Sequence, residues 1–271
     1  MIRLTKLFVI PLLLGMAACA TAPDEPVANI KSLGLVSALG DEFKVITVGT
    51  TVFNNASTSG DVTEWNVDGV ILDALSQHLN DQYAVQTIAV DKQAMISDYT
   101  ADAAALSTKL FGDAGSKFRL SDAVERSRIS TETSETGEKP DALVVVFLAP
   151  QNGYGFKGNP DLTGYGTYTS SMFGMGSTVL FLGARIVVID TNTNEEIRSR
   201  YLMPGYINSN RGDQKCYDCF TRSVSDDLFE RKFEDLSPEQ IEGLRAELNI
   251  LLRDSVKYSL EMVGLTPAPT E

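Results

Sequence analysis

The sequence is poor in the residues on which most enzyme chemistry depends. Its 271 residues include one histidine and three cysteines. Acid–base catalysis at neutral pH and zinc binding mostly rely on these two residue types. The one histidine, His78, stands beside the apolar stripe of a predicted helix, which favours a residue on the helix surface. We therefore predict no catalytic residue, no metal site and no cofactor.

Basic residues are also few. The chain has 23 Lys and Arg against 36 Asp and Glu, for a formal net charge of -13. An acidic chain without a basic stripe repels the phosphate backbones of nucleic acids. Nucleic-acid binding is therefore not expected.

Long apolar runs are absent except at the N-terminus, which excludes a multi-pass membrane protein. There, Arg3 and Lys6 precede an apolar run, residues 7–14, that is too short for a spanning helix and contains Pro11. Small residues follow this run. Charge, apolar run and small residues in this order are typical of a secretory signal peptide, predicted over residues 1–18.

The four residues Met16, Ala17, Ala18 and Cys19 resemble the bacterial lipobox, in which a cysteine is diacylated and becomes the new N-terminus. The resemblance implies a lipidated Cys19, and Ala20 after it implies transfer to the outer membrane. The body is then expected to face the periplasm. The alternative is an ordinary secreted protein that is cleaved near Ala20 and loses Cys19.

The remaining chain reads as one folded domain. With 43% hydrophobic residues it can form a core, and it shows no internal repeat. We predict a lipidated N-terminus and tether over residues 19–29, a globular domain over 30–265 and a C-terminal tail over 266–271. Hydrophobic periodicity predicts an α/β (α+β) fold, a mixed β-sheet with helices packed on it. The predicted strands are residues 30–39, 43–53, 83–90, 141–149, 178–190 and 196–206, and the predicted helices begin at 61, 91, 120 and 238.

Three details of this arrangement are specific. The first two strands are predicted to pair as a hairpin across Gly40 and Asp41, and residues 54–60 are predicted to be a polar loop. Strand 141–149 is the most apolar and is expected to be central. The last helix has Ser237 as its N-cap, Pro238 in its first position and Gly264 as its stop.

Two cysteines remain if Cys19 is lipidated. Cys216 and Cys219 form a CxxC pair in a chain that is expected to reach an oxidising compartment, which favours a structural disulfide. Redox activity is an alternative, because a CxxC arrangement can lower a thiol pKa. A zinc site is another, although it needs two more ligands.

Residues 150–176 combine seven glycines with five aromatic residues. A connection of this length between strands is usually functional or disordered. Aromatic rings with polar tips suit sugar rings, peptides or a partner protein. We predict that these rings bind a partner or ligand; the alternative is that they fold back over the sheet edge or pair within a strand extension. The five are Tyr154, Phe156, Tyr165, Tyr168 and Phe173.

The predicted order of strands and helices behind a lipobox is similar to the small α/β domains of envelope-assembly lipoproteins, such as the curli-secretion lipoprotein family and the activators of penicillin-binding proteins. This likeness implies a non-enzymatic role in assembling or regulating an envelope complex, with an envelope protein or peptidoglycan as partner. One alternative is a glycan- or peptidoglycan-binding module. Another is an envelope hydrolase that uses carboxylates near strand ends, such as Asp41, Glu42 or Asp190.

Overall fold

The computed structural model describes residues 26–49, 55–107, 119–128, 139–149, 162–172, 175–203, 221–228 and 230–267. These residues form a mixed β-sheet with helices, an α+β fold that confirms the predicted class. The strands are β1 (Ser32–Ala38), β2 (Glu42–Val48), β3 (Ala56–Asp61), β4 (Ala84–Thr87), β5 (Ala142–Leu148), β6 (Gly164–Met172), β7 (Met175–Asp190), β8 (Glu196–Tyr201) and β9 (Thr221–Ser223). The helices are α1 (Val67–Leu79), α2 (Lys92–Ser107), α3 (Leu120–Ser127) and α4 (Pro238–Met262).

The long strand β7 joins two halves of the sheet. Its residues 175–183 pair with β6, and residues 179–181 also pair with β9. Its residues 184–190 pair with β5, and residues 185–189 also pair with β8. One half of the sheet therefore has the order β4-β1-β5-β7-β8, and the other has the order β3-β2-β6-β7-β9.

Three predictions about the start of the domain are wrong. β1 and β2 do not pair as a hairpin: β1 lies between β4 and β5 in one half of the sheet, and β2 lies between β3 and β6 in the other. Gly40, with a φ of 79°, turns the chain from one half to the other. Residues 56–61 are not a loop but the edge strand β3, and helix α1 begins at Val67 rather than at Asp61.

Several other elements are confirmed. β5 lies inside the sheet between β1 and β7, and its side chains are almost all buried, as its unbroken apolar sequence predicts. β7 and β8 form the predicted antiparallel hairpin. Helix α4 begins with the predicted capping box, in which Ser237 and Gln240 bond each other's backbone N–H groups, and Gly264 follows its end with a φ of 71°.

A main hydrophobic core joins the sheet to the helices. Leucines along one face of α4 contribute to this core together with residues of α1, β1 and β5. Within the described part of the chain, no helix is both long and apolar enough to cross a membrane.

Candidate functional site

The carboxyl end of β1 lies where the order of the parallel strands reverses. The chain passes from β1 by way of β2, β3 and α1 to β4 on one side, and then through α2 and α3 to β5 on the other side of β1. The three strands are parallel. In open α/β sheets, ligands bind in the crevice outside the carboxyl ends of the strands, where the strand order reverses in this way.

A buried carboxylate lies at this end of the sheet. Asp68, in the first turn of α1, is 1% exposed. Its Oδ1 accepts hydrogen bonds from the Ser37 hydroxyl at 2.6 Å and from the Leu39 backbone N–H at 2.9 Å. Its Oδ2 lies 2.9 Å from Nζ of Lys92, at the start of α2.

The Asp68 contacts connect three elements rather than activating a nucleophile. Ser37 donates a hydrogen bond to one oxygen of a carboxylate whose other oxygen faces the Lys92 ammonium, and contacts that involve charged groups in this way are strong. The carboxylate thereby fixes the end of β1 and the starts of α1 and α2 relative to one another. Sequence reasoning missed this network because Ser37 and Asp68 stand 31 residues apart without a motif around either.

Aromatic side chains fill the adjacent space. Tyr165 of β6 is 0% exposed, and its hydroxyl donates a 2.8 Å hydrogen bond to the carbonyl oxygen of Gly40. Its ring meets Phe43 edge-on, with centroids 6.2 Å apart. Phe43 in turn contacts Trp65 at 5.1 Å and Phe233 at 6.2 Å. We call Phe43, Trp65, Tyr165 and Phe233 the aromatic cluster.

The surroundings of Tyr165 oppose its ionisation. Burial raises the pKa of its phenol well above the usual value, and the negative charge of Asp68 adds to the rise, followed by those of Asp41, Glu42 and Asp61. The hydroxyl therefore stays protonated at any physiological pH and serves as a hydrogen-bond donor to Gly40.

The prediction of an aromatic binding loop does not hold for two of its five residues. Tyr165 and Tyr168 lie in strand β6, between β2 and β7, and both are buried, at 0% and 6% exposure. The alternative interpretation, rings within a strand extension, describes them. Because they are three residues apart in a strand, they point to opposite faces: Tyr165 joins the main core, and Tyr168 packs in a smaller cluster with Phe181. Tyr154, Phe156 and Phe173 lie outside the described residues.

Glycines in this region allow close approach of the strands. A Cβ atom on Gly166 of β6 would stand 2.0 Å from the carbonyl oxygen of Lys44 in β2, and one on Gly183 of β7 would stand 2.0 Å from that of Leu162. A side chain at either position would force the backbones apart. Gly166, one of the glycines that suggested a binding loop, is therefore a feature of a tightly paired sheet, as is Gly183 in β7.

The carboxylates considered for hydrolysis do not form one group. Asp41 and Glu42 follow the carboxyl end of β1, whereas Asp190 ends β7 opposite Ala142, at the amino end of β5. Its carboxylate accepts hydrogen bonds from the backbone N–H groups of Asn192 and Thr193. Asp190 therefore serves the turn between β7 and β8.

A second concave region lies over the amino end of β5 and extends along α3 to Arg128, which bridges Val90 beyond the carboxyl end of β4. A cleft of about 360 Å³ opens between α3, the segment before β5 and the turn between β7 and β8. We call it the α3 cleft; its walls include Val124, Glu125, Arg128, Lys139, Leu143 and Asn194. Apolar side chains form its inner wall, while Arg128 and Lys139 are exposed at its rim.

The predicted lipidation and disulfide residues, Cys19, Cys216 and Cys219, lie outside the described residues. Among the residues that the structure does describe, no three His, Cys, Asp or Glu side chains are grouped so that they could hold a metal ion. A comparison with protein-family models finds no match to this chain, and a comparison with curated protein sequences finds none either.

Proposed function

We propose that this chain is a lipid-anchored protein of the outer membrane whose periplasm-facing α/β body assembles or regulates an envelope complex without catalysing a reaction. The lipobox resemblance of Met16 to Cys19 supports the anchor. The observation that carries the non-catalytic role is that the buried side chains at the crevice expected beyond the carboxyl end of β1 contact one another.

The residues at that crevice bind one another. Tyr165 reaches across from β6 to Gly40, and the aromatic cluster packs behind it. Asp68, the buried carboxylate beside it, directs its oxygens to Ser37, Leu39 and Lys92. Side chains that contact one another in this way stabilise the fold. We therefore infer that the protein binds its partner through the exposed surface of the domain.

The start of the described chain supports a body that is held close to the membrane. The backbone N–H of Val27 donates to the carbonyl oxygen of Gly264 at 3.2 Å, so the chain is fixed to the body by residue 27. Residues 20–25 then separate Cys19 from Pro26. The seven Cα–Cα intervals from Cys19 to Pro26 span about 25 Å when the chain is fully extended. An anchor on so short a tether suits a protein that works on a partner at the membrane surface.

The size of the assembly in membranes tests this function. The wild-type protein, solubilised from envelopes in mild detergent, is expected to migrate in a complex larger than the monomer. The Cys19→Ser variant is expected to leave the membrane fraction or to keep its signal peptide, and to be absent from that complex. A wild-type protein that is always monomeric would contradict the proposal.

A second measurement separates the alternatives. The purified wild-type protein is incubated with peptidoglycan sacculi, which are then sedimented and analysed for released fragments. Cosedimentation without a protein partner would favour a glycan-binding module. Release of fragments that is lost on replacement of Asp41 and Glu42 by Asn and Gln would favour a hydrolase.

A further inference from the structure

We propose that the α3 cleft faces the membrane and binds the head-group phosphate of anionic phospholipids. This inference rests on the proposed lipid anchor, and it adds the orientation of the body and a second, electrostatic contact with the bilayer. It concerns the end of the sheet at which β1, β4 and β5 begin.

The anchored end of the chain and the side of the α3 cleft that contains Lys139 lie at this same end. Val27 bonds Gly264, and the next residue, Leu265, accepts a 3.1 Å hydrogen bond from the Tyr83 hydroxyl just before β4. Four residues after Val27, the backbone N–H of Lys31 donates to the Asp141 carboxylate at 2.8 Å.

Asp141 brings the cleft next to the start of β1. It directly follows Lys139 and Pro140, which both line the cleft. Its backbone carbonyl accepts a hydrogen bond from the N–H of Thr191, in the turn between β7 and β8 that also lines the cleft. A tether of at most about 25 Å therefore keeps the cleft, and not the far end of the sheet, next to the bilayer.

The chemistry of the cleft suits a phosphate attached to apolar chains. The ammonium of Lys139 donates to the carbonyl oxygen of Thr191, which holds it at the rim. Arg128 contributes a guanidinium, which can bind phosphate with two N–H groups. Val124 and Leu143 give the cleft an apolar inner wall. Lys and Arg at a membrane surface attract anionic lipids, each by a modest amount.

Three carboxylates near the cleft have partners within the protein. Glu125 lies 3.5 Å from Arg128 in an exposed ion pair with which a phosphate would compete, and Asp190 accepts two backbone N–H bonds of the following turn. Asp141 accepts three hydrogen bonds from Lys31 and Ser32, and these bonds hold its pKa below the usual value. Within the described segments, no carboxylate lies within ion-pair distance of Lys139.

A photocrosslinking experiment tests the orientation. The lipidated protein, with a photoreactive residue in place of Thr193 beside the cleft, is reconstituted into vesicles of phosphatidylcholine with or without phosphatidylglycerol. The matched control carries the same residue in place of Glu64, which is exposed near the carboxyl end of β1. We expect phospholipid crosslinks from position 193 and none from position 64. Equal labelling at both positions, or crosslinks from 193 to a second copy of the chain alone, would overturn the inference.

Charge reversal tests the head-group contact. Crosslinking from position 193 should increase when phosphatidylglycerol is present, and Lys139→Glu or Arg128→Glu should lower that increase about fivefold each. Lys232→Glu, an exposed charge reversal beside β3, should leave it unchanged. Crosslinking that is indifferent to phosphatidylglycerol would exclude phosphate recognition. Failure of the wild-type protein to associate with vesicles at all would instead contradict the lipid anchor, so the two proposals fail separately.

Discussion

The hydroxyl of Tyr165 donates a hydrogen bond to the carbonyl oxygen of Gly40, 125 residues earlier in the chain, across 2.8 Å. This bond joins the two halves of the sheet, because Gly40 follows β1 and Tyr165 lies in β6. It also lies at the carboxyl end of β1, the end at which α/β proteins commonly bind small molecules. The bond is therefore central both to the stability of the fold and to the proposed non-catalytic role.

Removing the hydroxyl of Tyr165 should destabilise the protein, and removing the whole ring should destabilise it further. Tyr165→Phe keeps the ring and leaves the Gly40 carbonyl without its partner, at a cost of about 1–3 kcal/mol in the free energy of unfolding. Tyr165→Ala also opens a cavity and should cost about 3–5 kcal/mol. Urea unfolding measures both. Ile250→Val, at a residue of α4 that is 41% exposed, is the control and should change stability by less than about 0.5 kcal/mol. A stable Tyr165→Ala protein would show that the ring is not core.

Removal of the Asp68 carboxylate should weaken the junction of β1, α1 and α2. Asp68→Ala leaves the Leu39 N–H and the Ser37 hydroxyl without an acceptor, so we expect a loss of about 2 kcal/mol or more. Asp73→Ala, an exposed position on the same helix, should change stability by less than about 0.5 kcal/mol. Ser37→Ala combined with Asp68→Ala should cost less than the two single changes added together, since they share one hydrogen bond. Strict additivity would contradict the network.

Stability should fall between neutral and mildly acidic pH on account of His78. Partial burial lowers the pKa of its imidazole below 6.5, and the charge of Lys257 on α4 lowers it further. The unfolded chain therefore takes up this proton before the folded one, and the free energy of unfolding decreases as the pH falls through about 6.5. The raised pKa of Glu261 acts in the opposite direction.

Comparison of wild type with His78→Gln isolates the contribution of His78 to the pH dependence of the unfolding free energy, because Glu261 is present in both proteins. Their difference in unfolding free energy should change with pH between about 7 and 5, with the wild type losing more stability than the variant. Parallel pH profiles would contradict the assignment.

The CxxC pair gives a prediction about redox state. Cys216 and Cys219 should resist alkylation in the native purified protein until a reductant is added, because an exported protein meets an oxidising compartment. Replacing both by serine should change global stability little, since the closed loop is short. Thiols that react at once in aerobically purified protein would contradict a disulfide and reopen the redox and zinc interpretations.

The elements that the sequence predicted well are those whose own residues determine them. β5 is an unbroken apolar run, and α4 has a capping box, a leucine stripe and a terminal glycine. Strand β3 has none of these signals: its sequence ASTSGD contains one apolar residue, and it is a strand because it pairs with β2. Such pairing partners are not encoded locally.

The site was harder to predict than the fold for a similar reason. Tyr165 and Tyr168 stand among glycines, which suggested an exposed loop, yet Gly166 is required because the carbonyl oxygen of Lys44 leaves no room for a side chain. The Asp68 contacts likewise join residues far apart in the chain. Only the three-dimensional register of the strands reveals that these residues meet.

The mass of the N-terminal peptide of the protein purified from membranes tests the central claim, a lipid-anchored body, most directly. We predict a mature chain that begins at Cys19 and carries acyl groups on that residue. The N-terminal peptide of the Cys19→Ser variant should lack this acyl mass. A membrane protein that begins elsewhere, or an unmodified Cys19 in a chain recovered from the soluble periplasmic fraction, would contradict the account.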